Sequence, residues 1–227
     1  YKIDFGDGKT QMVPSGQIQY RYTAPGTADY TITVNAVGTG GTQTVLSKKV
    51  RVFVRFELPA DIVTALTGTG TKTWATDRAA DGHFGVGPID QFAPIWYAAT
   101  PESREACAYD DRITFSKDAA GNISLNVDNK GESFSIGAAT AFYGFSGGDG
   151  CYGINTGGTK KLKFFDATSG SNANVSRMIE FEVPGNGIVN FGTGGTVYEI
   201  LSITNQQVHL RCKGADGNAW YMKLKAL

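Results

Sequence analysis

Ala219-Trp-Tyr-Met-Lys-Leu-Lys225 alternates in character residue by residue, the signature of a β-strand half buried against a core. Alternation sets Trp220, Met222 and Leu224 on one face and Tyr221, Lys223 and Lys225 on the other. Trp220 is therefore read as core and Tyr221 as outward. Beyond a hairpin at Gly214–Gly217, Val208, Leu210 and Cys212 take the inward parity. His209 and Arg211 take the outward one, beside Tyr221 if the two strands pair. Further strands are read around 111–116, 121–127, 160–166, 176–183 and 196–203. Two short helices interrupt them: Pro59 to Leu66, closed by Gly68, and Thr100 to Cys107, with Thr100 as N-cap and Pro101 at the first helical position.

Residues 1–54 also read as strands and turns, with no helical period. Tyr1-Lys-Ile-Asp-Phe-Gly-Asp-Gly8 ends a strand in a turn, and Gln17 to Tyr22 alternates. Tyr30-Thr-Ile-Thr-Val34 alternates again, Gly38-Thr-Gly-Gly-Thr42 turns the chain, and Val45 to Val54 returns it. The expected class is all-β throughout, with residues 1–54 as one domain and 55–227 as a larger antiparallel β-sandwich of jelly-roll type. Composition agrees. Glycine supplies 30 of 227 residues, about 13% against a usual 7%, as short strands joined by tight turns require. The 21 basic and 21 acidic residues cancel, which argues against nucleic acid as a partner. No stretch approaches the roughly 20 apolar residues of a membrane-spanning helix.

Catalytic signatures are absent. There is no G-x-S-x-G, H-E-x-x-H or G-x-x-x-x-G-K-[ST] pattern. Glu180-Phe-Glu182 puts two carboxylates on one face of a strand, as glycoside hydrolysis would need at about 5–10 Å, but both read most simply as solvated. Gly82-His-Phe-Gly-Val-Gly87 resembles a phosphate loop only in its glycines, since no helix pattern follows. Cys107, Cys151 and Cys212 fit no zinc spacing and leave open one disulfide plus a free thiol, or three thiols. No cofactor is expected, and structural calcium is an option only at Asp110-Asp111.

Aromatic residues carry the binding expectation. A sugar ring has apolar C–H faces ringed by hydroxyls, so flat aromatics flanked by polar groups suit it. Trp96 and Tyr97 stand in the irregular stretch 77–99 between Pro94 and Thr100-Pro101, and His83 lies in the same stretch. Long loops of this kind tend to be functional. Trp74 shares its face with Lys72 and Thr76, Tyr221 and Arg211 share the outward face, and Tyr143 lies in the glycine–aromatic run 142–152. Trp96, Tyr97, Trp74, His83, Tyr221, Arg211 and Tyr143 are the candidate ligand contacts.

Phe5-Gly-Asp-Gly8, Tyr20 or Tyr22, Gly26 and Tyr30-Thr-Ile-Thr-Val34 resemble the PKD family of immunoglobulin-like domains. The resemblance implies a spacer and, because the motif starts at residue 5, a domain trimmed at its start. Lys72-Thr-Trp-Ala-Thr-Asp77, Asp81-Gly-His-Phe-Gly-Val-Gly-Pro88, Pro94-Ile-Trp-Tyr-Ala98, Tyr109-Asp-Asp-Arg-Ile-Thr-Phe115, Tyr198-Glu-Ile-Leu-Ser-Ile203 and Ala219 to Leu224 resemble a second group. These are the carbohydrate-binding β-sandwich modules that follow PKD domains in Bacteroidota surface glycan-binding lipoproteins. That resemblance implies non-catalytic capture of extracellular polysaccharide, such as the β-glucan laminarin, on the outer membrane of a polysaccharide-utilising cell. It further implies a SusC/SusD-type transporter as partner, a lipid anchor outside this sequence, and a monomer. The rival expectations are an accessory fragment of a glycoside hydrolase and a purely structural adhesive spacer.

Overall fold

The computed structural model describes residues 1–227 except Thr23, Pro25 and Thr39. The chain is all-β and antiparallel, and it divides into two compact units, Tyr1–Glu57 and Leu58–Leu227.

The first unit is a four-stranded sheet of β1 (Lys2–Asp4), β2 (Thr10–Met12), β3 (Gly26–Val37) and β4 (Gln43–Val54), in the order β2-β1-β3-β4. The turn after β1 needs its glycine: Gly6 has φ 78°, and a Cβ there would sit 2.7 Å from the Thr31 carbonyl oxygen of β3. In the turn expected at 38–42, Gly38 N donates to Thr42 O; Thr39 lies outside the described residues. Gln17 to Tyr22 is not the expected strand. Its side chains hold it instead. Tyr20 donates to the Asp7 carboxylate at 2.6 Å and stacks on Phe5, while Tyr22 donates to the Phe5 carbonyl and stacks on Tyr30. Aromatic contacts thus replace a backbone ladder over the core of Ile3, Phe5 and Val13.

The second unit opens with α1 (Ala60–Thr67), ended by Gly68, which buries Ile62, Ala65 and Leu66. Its strands are β5 (Thr71–Thr76), β6 (Phe84–Gly87), β7 (Tyr97–Ala98), β8 (Arg112–Lys117), β9 (Ile123–Asp128), β10 (Ser133–Ser135), β11 (Gly150–Tyr152), β12 (Lys160–Lys161), β13 (Lys163–Asp166), β14 (Ile179–Glu182), β15 (Val197–Ile203), β16 (Gln207–Lys213) and β17 (Ala219–Ala226). The main sheet runs β12-β9-β8-β5-β17-β16-β15-β14-β13. Only Leu162 separates β12 from β13, yet β12 pairs with β9 and β13 with β14. One short stretch therefore joins both edges of the sheet and wraps it into a near-barrel. Strands adjacent along this path are mostly adjacent in sequence, a meander in place of the crossovers of a jelly roll. An eight-stranded wrap leaves room for little but side chains. Here Trp74, Phe115, Phe181 and Tyr198 fill it, with Phe115 and Phe181 meeting edge to face from opposite walls.

β17 is paired along both edges. One edge meets β16; along the other, Ala219 to Met222 pair with β6 and Leu224 to Ala226 with β5. The helix expected at Thr100–Cys107 is absent apart from a 3-10 turn at Ala106–Ala108. Glu102 adopts φ 62°, its amide donates to Arg78 O and its carboxylate pairs with Arg78. These contacts tie the segment to the loop after β5 and break any helical run. Of the cysteine alternatives, the structure has one disulfide, Cys107–Cys151, and a buried free thiol, Cys212.

The disulfide closes a loop of 44 residues. Replacing both Cys107 and Cys151 with Ala should lower stability by about 2–4 kcal/mol, mostly by freeing the unfolded chain. Urea unfolding of the two proteins measures this, and equal midpoints would mean the bridge contributes nothing.

Candidate functional site

The outer face of the second unit carries a continuous row of paired residues. Register aligns Phe165 of β13, Glu180 of β14, Glu199 of β15, Arg211 of β16, Tyr221 of β17, Gly85 of β6 and Ala98 of β7. Cross-strand partners lie about 5 Å apart, so Glu199 stands between Glu180 and Arg211. By parity all these side chains should be solvated. Instead Glu180, Glu199 and Arg211 are 5%, 1% and 4% exposed, and Tyr221 is buried.

The covering element is the chain between β6 and β7, which folds back over the sheet. It can approach because β6 has no side chains there: a Cβ at Gly85 would lie 2.4 Å from Pro94 Cβ, and one at Gly87 2.9 Å from Ala93 O. The glycines of Gly82–Gly87 thus serve close contact between backbone segments, with no helix N-terminus behind them. The Gln91 carbonyl accepts from Tyr221 OH at 2.6 Å and from Arg211 Nε at 3.1 Å. Arg211 Nη2 also donates to Ile89 O, and Phe92 lies over the guanidinium with its ring centre 4.8 Å away. Below the loop Arg211 is paired with one carboxylate, and hydrogen bonds from neutral groups support the rest. Arg211 meets Glu199 at 3.4 Å, Glu199 also accepts from Ser176 Oγ at 2.6 Å, and Glu180 accepts from both Thr168 N and Oγ1.

The far end of the same loop is exposed. Ile95, Trp96 and Tyr97 are 61%, 60% and 43% accessible, yet their backbone is fixed, with Trp96 N donating to Val86 O and Tyr97 paired with Val86 in β7. Trp96 and Tyr97 occupy successive positions, so their rings leave opposite faces of the ribbon. The Tyr97 face continues through Val86 to Trp220, two strand spacings or about 10 Å away.

Five other candidate contacts are committed within the protein. Trp74 is fully buried and donates to Leu66 O at 3.1 Å, while Lys72 lays its ammonium over the ring and reaches the helix carbonyl of Ala65. The polar neighbour that suggested exposure is thus a snorkelling lysine. His83 is buried, with Nδ1 donating to Ala80 O and Nε2 accepting from Tyr109 OH; burial lowers its pKa. Tyr221 and Arg211 anchor the loop instead of facing solvent. Tyr143 is half-buried and accepts from Gly194 N, and burial pushes its hydroxyl up to about 12.

Two further expectations drawn from strand parity are overturned, one on β17 and one on β14. Trp220, expected in the core, is half-buried because the row it shares with Val86 and Tyr97 runs past the barrel rim; its Nε1 lies 3.2 Å from each Asp216 carboxylate oxygen. Glu180 and Glu182 are not a solvated pair, since Glu180 is buried beside Glu199. Glu199 was overlooked altogether. The one sign of it in the sequence is Val197 and Leu201, apolar residues at the same outward parity as Glu199.

Asp110 and Asp111 do not share a face: Asp110 is exposed and Asp111 fully buried, with no hydrogen-bond partner for either carboxylate oxygen among the described residues. Burial, reinforced by Asp110 and Asp128 against Arg112, raises the Asp111 pKa to about 8. Among the described residues, Cys107, Glu132 and Cys151 form the one cluster of three metal-ligand types, and its two sulfurs are joined in the disulfide.

Two stability outcomes follow. Arg211→Met leaves Glu199 buried without its counter-charge and should cost about 3–5 kcal/mol; adding Glu199→Leu should recover part of it, as urea midpoints of the pair and the singles will report. The folded chain keeps the Asp111 proton that the unfolded chain releases near pH 4. Its contribution is therefore full below about pH 4 and lost as pH rises toward 8. His209, lowered to about 4 by burial, acts in the opposite sense below about pH 6.5, so the interval from pH 7 to 8 isolates the aspartate. Asp111→Asn should flatten the fall in stability there, and an unchanged slope would show that Asp111 ionises freely.

No protein-family model matches the chain, and no curated protein matches it.

Proposed function

We propose that this chain is a non-catalytic binder of extracellular polysaccharide, with the β6–β7 loop as its contact surface. The observation that carries this reading is Trp96, 60% exposed on a backbone bonded to Val86 of β6. Ile95 and Tyr97 are exposed beside it, and apolar residues exposed together are the kind of surface that marks a binding site; the Arg211 and Tyr221 contacts that fix the loop lower the ordering cost of binding. Stacking a sugar on one ring covers roughly 100 Å² of apolar surface and is worth about 2–3 kcal/mol. Trp96 on one face, or Tyr97 with Trp220 on the other, would with a few hydrogen bonds reach the 4–8 kcal/mol of millimolar to micromolar affinity. Zero net charge suits a neutral polymer.

The resemblances extend the proposal: a β-glucan such as laminarin as the polymer, the bacterial outer surface as the place, a SusC/SusD-type transporter as neighbour, and the first unit as a PKD-like spacer. Affinity electrophoresis in gels containing laminarin, other β-glucans, mannan or galactan tests the reading directly. Retardation in at least one gel is expected, and unchanged mobility in all of them would count decisively against it. Trp96→Ala with Tyr97→Ala should weaken retention at least tenfold while leaving the melting temperature within a few degrees.

A further inference from the structure

A second, smaller site lies under the other end of the same loop. Between Ile89 and the sheet is a cavity of about 340 Å³, at the low end of small-ligand sites of about 300–1,000 Å³. Its size suits one ring and excludes a run of several. Phe165 and Val197 supply apolar walls, and Glu180, Arg211 and Thr168 the polar ones.

These polar groups have unused hydrogen-bonding capacity. Thr168 fills only Oε2 of Glu180, and among the described residues nothing donates to Oε1. Arg211 has five N–H donors, of which Nε, Nη1 and Nη2 each have one protein partner, leaving two. Water reaching the cavity serves this spare capacity, and a ligand hydroxyl placed there can take the water's place. The charges at the cavity, Glu180 and Glu199 against Arg211 and Lys213, sum to zero, so net charge favours neither an anionic nor a cationic occupant. Beside the cavity, Met178 N donates to Ser176 Oγ, which in turn donates to Glu199 and fixes that carboxylate in the wall.

We propose that this cavity binds a single neutral sugar residue, one ring face against Phe165, with hydroxyls donating to Glu180 Oε1 and accepting from Arg211. A hydroxyl is both donor and acceptor, so a vicinal pair can satisfy carboxylate and guanidinium together with charge-assisted bonds. The choice of a sugar rests on the polysaccharide reading above; the existence of the site rests on the cavity and the spare hydrogen-bonding capacity of Glu180 and Arg211. The loop would then hold a polymer on its exposed rings and a chain end or side-branch residue beneath Ile89.

The whole chain, titrated by NMR with the methyl glycosides of glucose, galactose and mannose, tests the proposal alongside the polysaccharide gels. Millimolar binding of at least one glycoside is expected. Glu180→Gln, which keeps an acceptor for Thr168, should raise its Kd at least tenfold, and Val197→Phe should abolish binding by filling the cavity. Melting curves report whether each variant folds; should Val197→Phe unfold, the isosteric Glu180→Gln carries the result. If polysaccharide is retained but no glycoside binds, or the variants bind as the parent does, the cavity proposal fails alone. If neither polymer nor glycoside binds, both readings fall.

Discussion

The guanidinium of Arg211 is where the sheet, the loop and the cavity meet. From below, Glu199 fixes its charge; from above, the carbonyls of Ile89 and Gln91 take its protons, and Phe92 covers its plane. An arginine can do this where a lysine cannot, because its planar fork bonds in several directions while its face stacks. Buried ion pairs of this kind seldom add net stability over well-packed apolar groups. What this one provides is position. It commits the chain between β6 and β7 to a single path, and that path leaves Trp96 and Tyr97 standing in water.

Strand parity was the legible part of this fold. The alternations at 111–116, 160–166 and 196–225 lie where β8, β12 with β13, and β15 to β17 are found. Parity tells which residues share a face, and it aligned Arg211 with Tyr221 correctly. It does not tell what covers that face. Tyr221 is buried by Gln91, 130 residues away in sequence, and no local pattern announces such a partner. Trp220 fails for the complementary reason: an inward parity near a barrel rim opens toward solvent. The wrap itself was hidden too, since 160–166 reads as one ordinary strand and only pairing reveals that its halves belong to different edges.

Residues 17–22 and 100–107 show a second limit. Both carry a respectable local signal, alternation in one and a capped helix start in the other, and both are overridden by specific side-chain bonds. Tyr20 and Tyr22 pull the first onto the aromatic core of its unit, and the Arg78–Glu102 pair bends the second. Local preference amounts to tenths of a kcal/mol per residue, less than one charge-assisted bond. The candidate site was legible where it was irregular, at Trp96 and Tyr97, and illegible where it was regular, at Glu180 and Glu199. There the two buried carboxylates look, in sequence, like any solvated strand residue.

The pairing of β17 also sets an order of events. β5 and β6, among the first strands of the second unit, have β17, the last, as a neighbour. During synthesis those early strands must wait with a bare edge until nearly the entire unit has left the ribosome. Such distant pairing slows folding and exposes edges to wrong partners. α1 can shield part of β5 meanwhile, because Leu66 and Trp74 are close in sequence and bonded to each other. The loop that carries the exposed rings thus has one of its anchors, Tyr221, on the strand that is made after all the others described above.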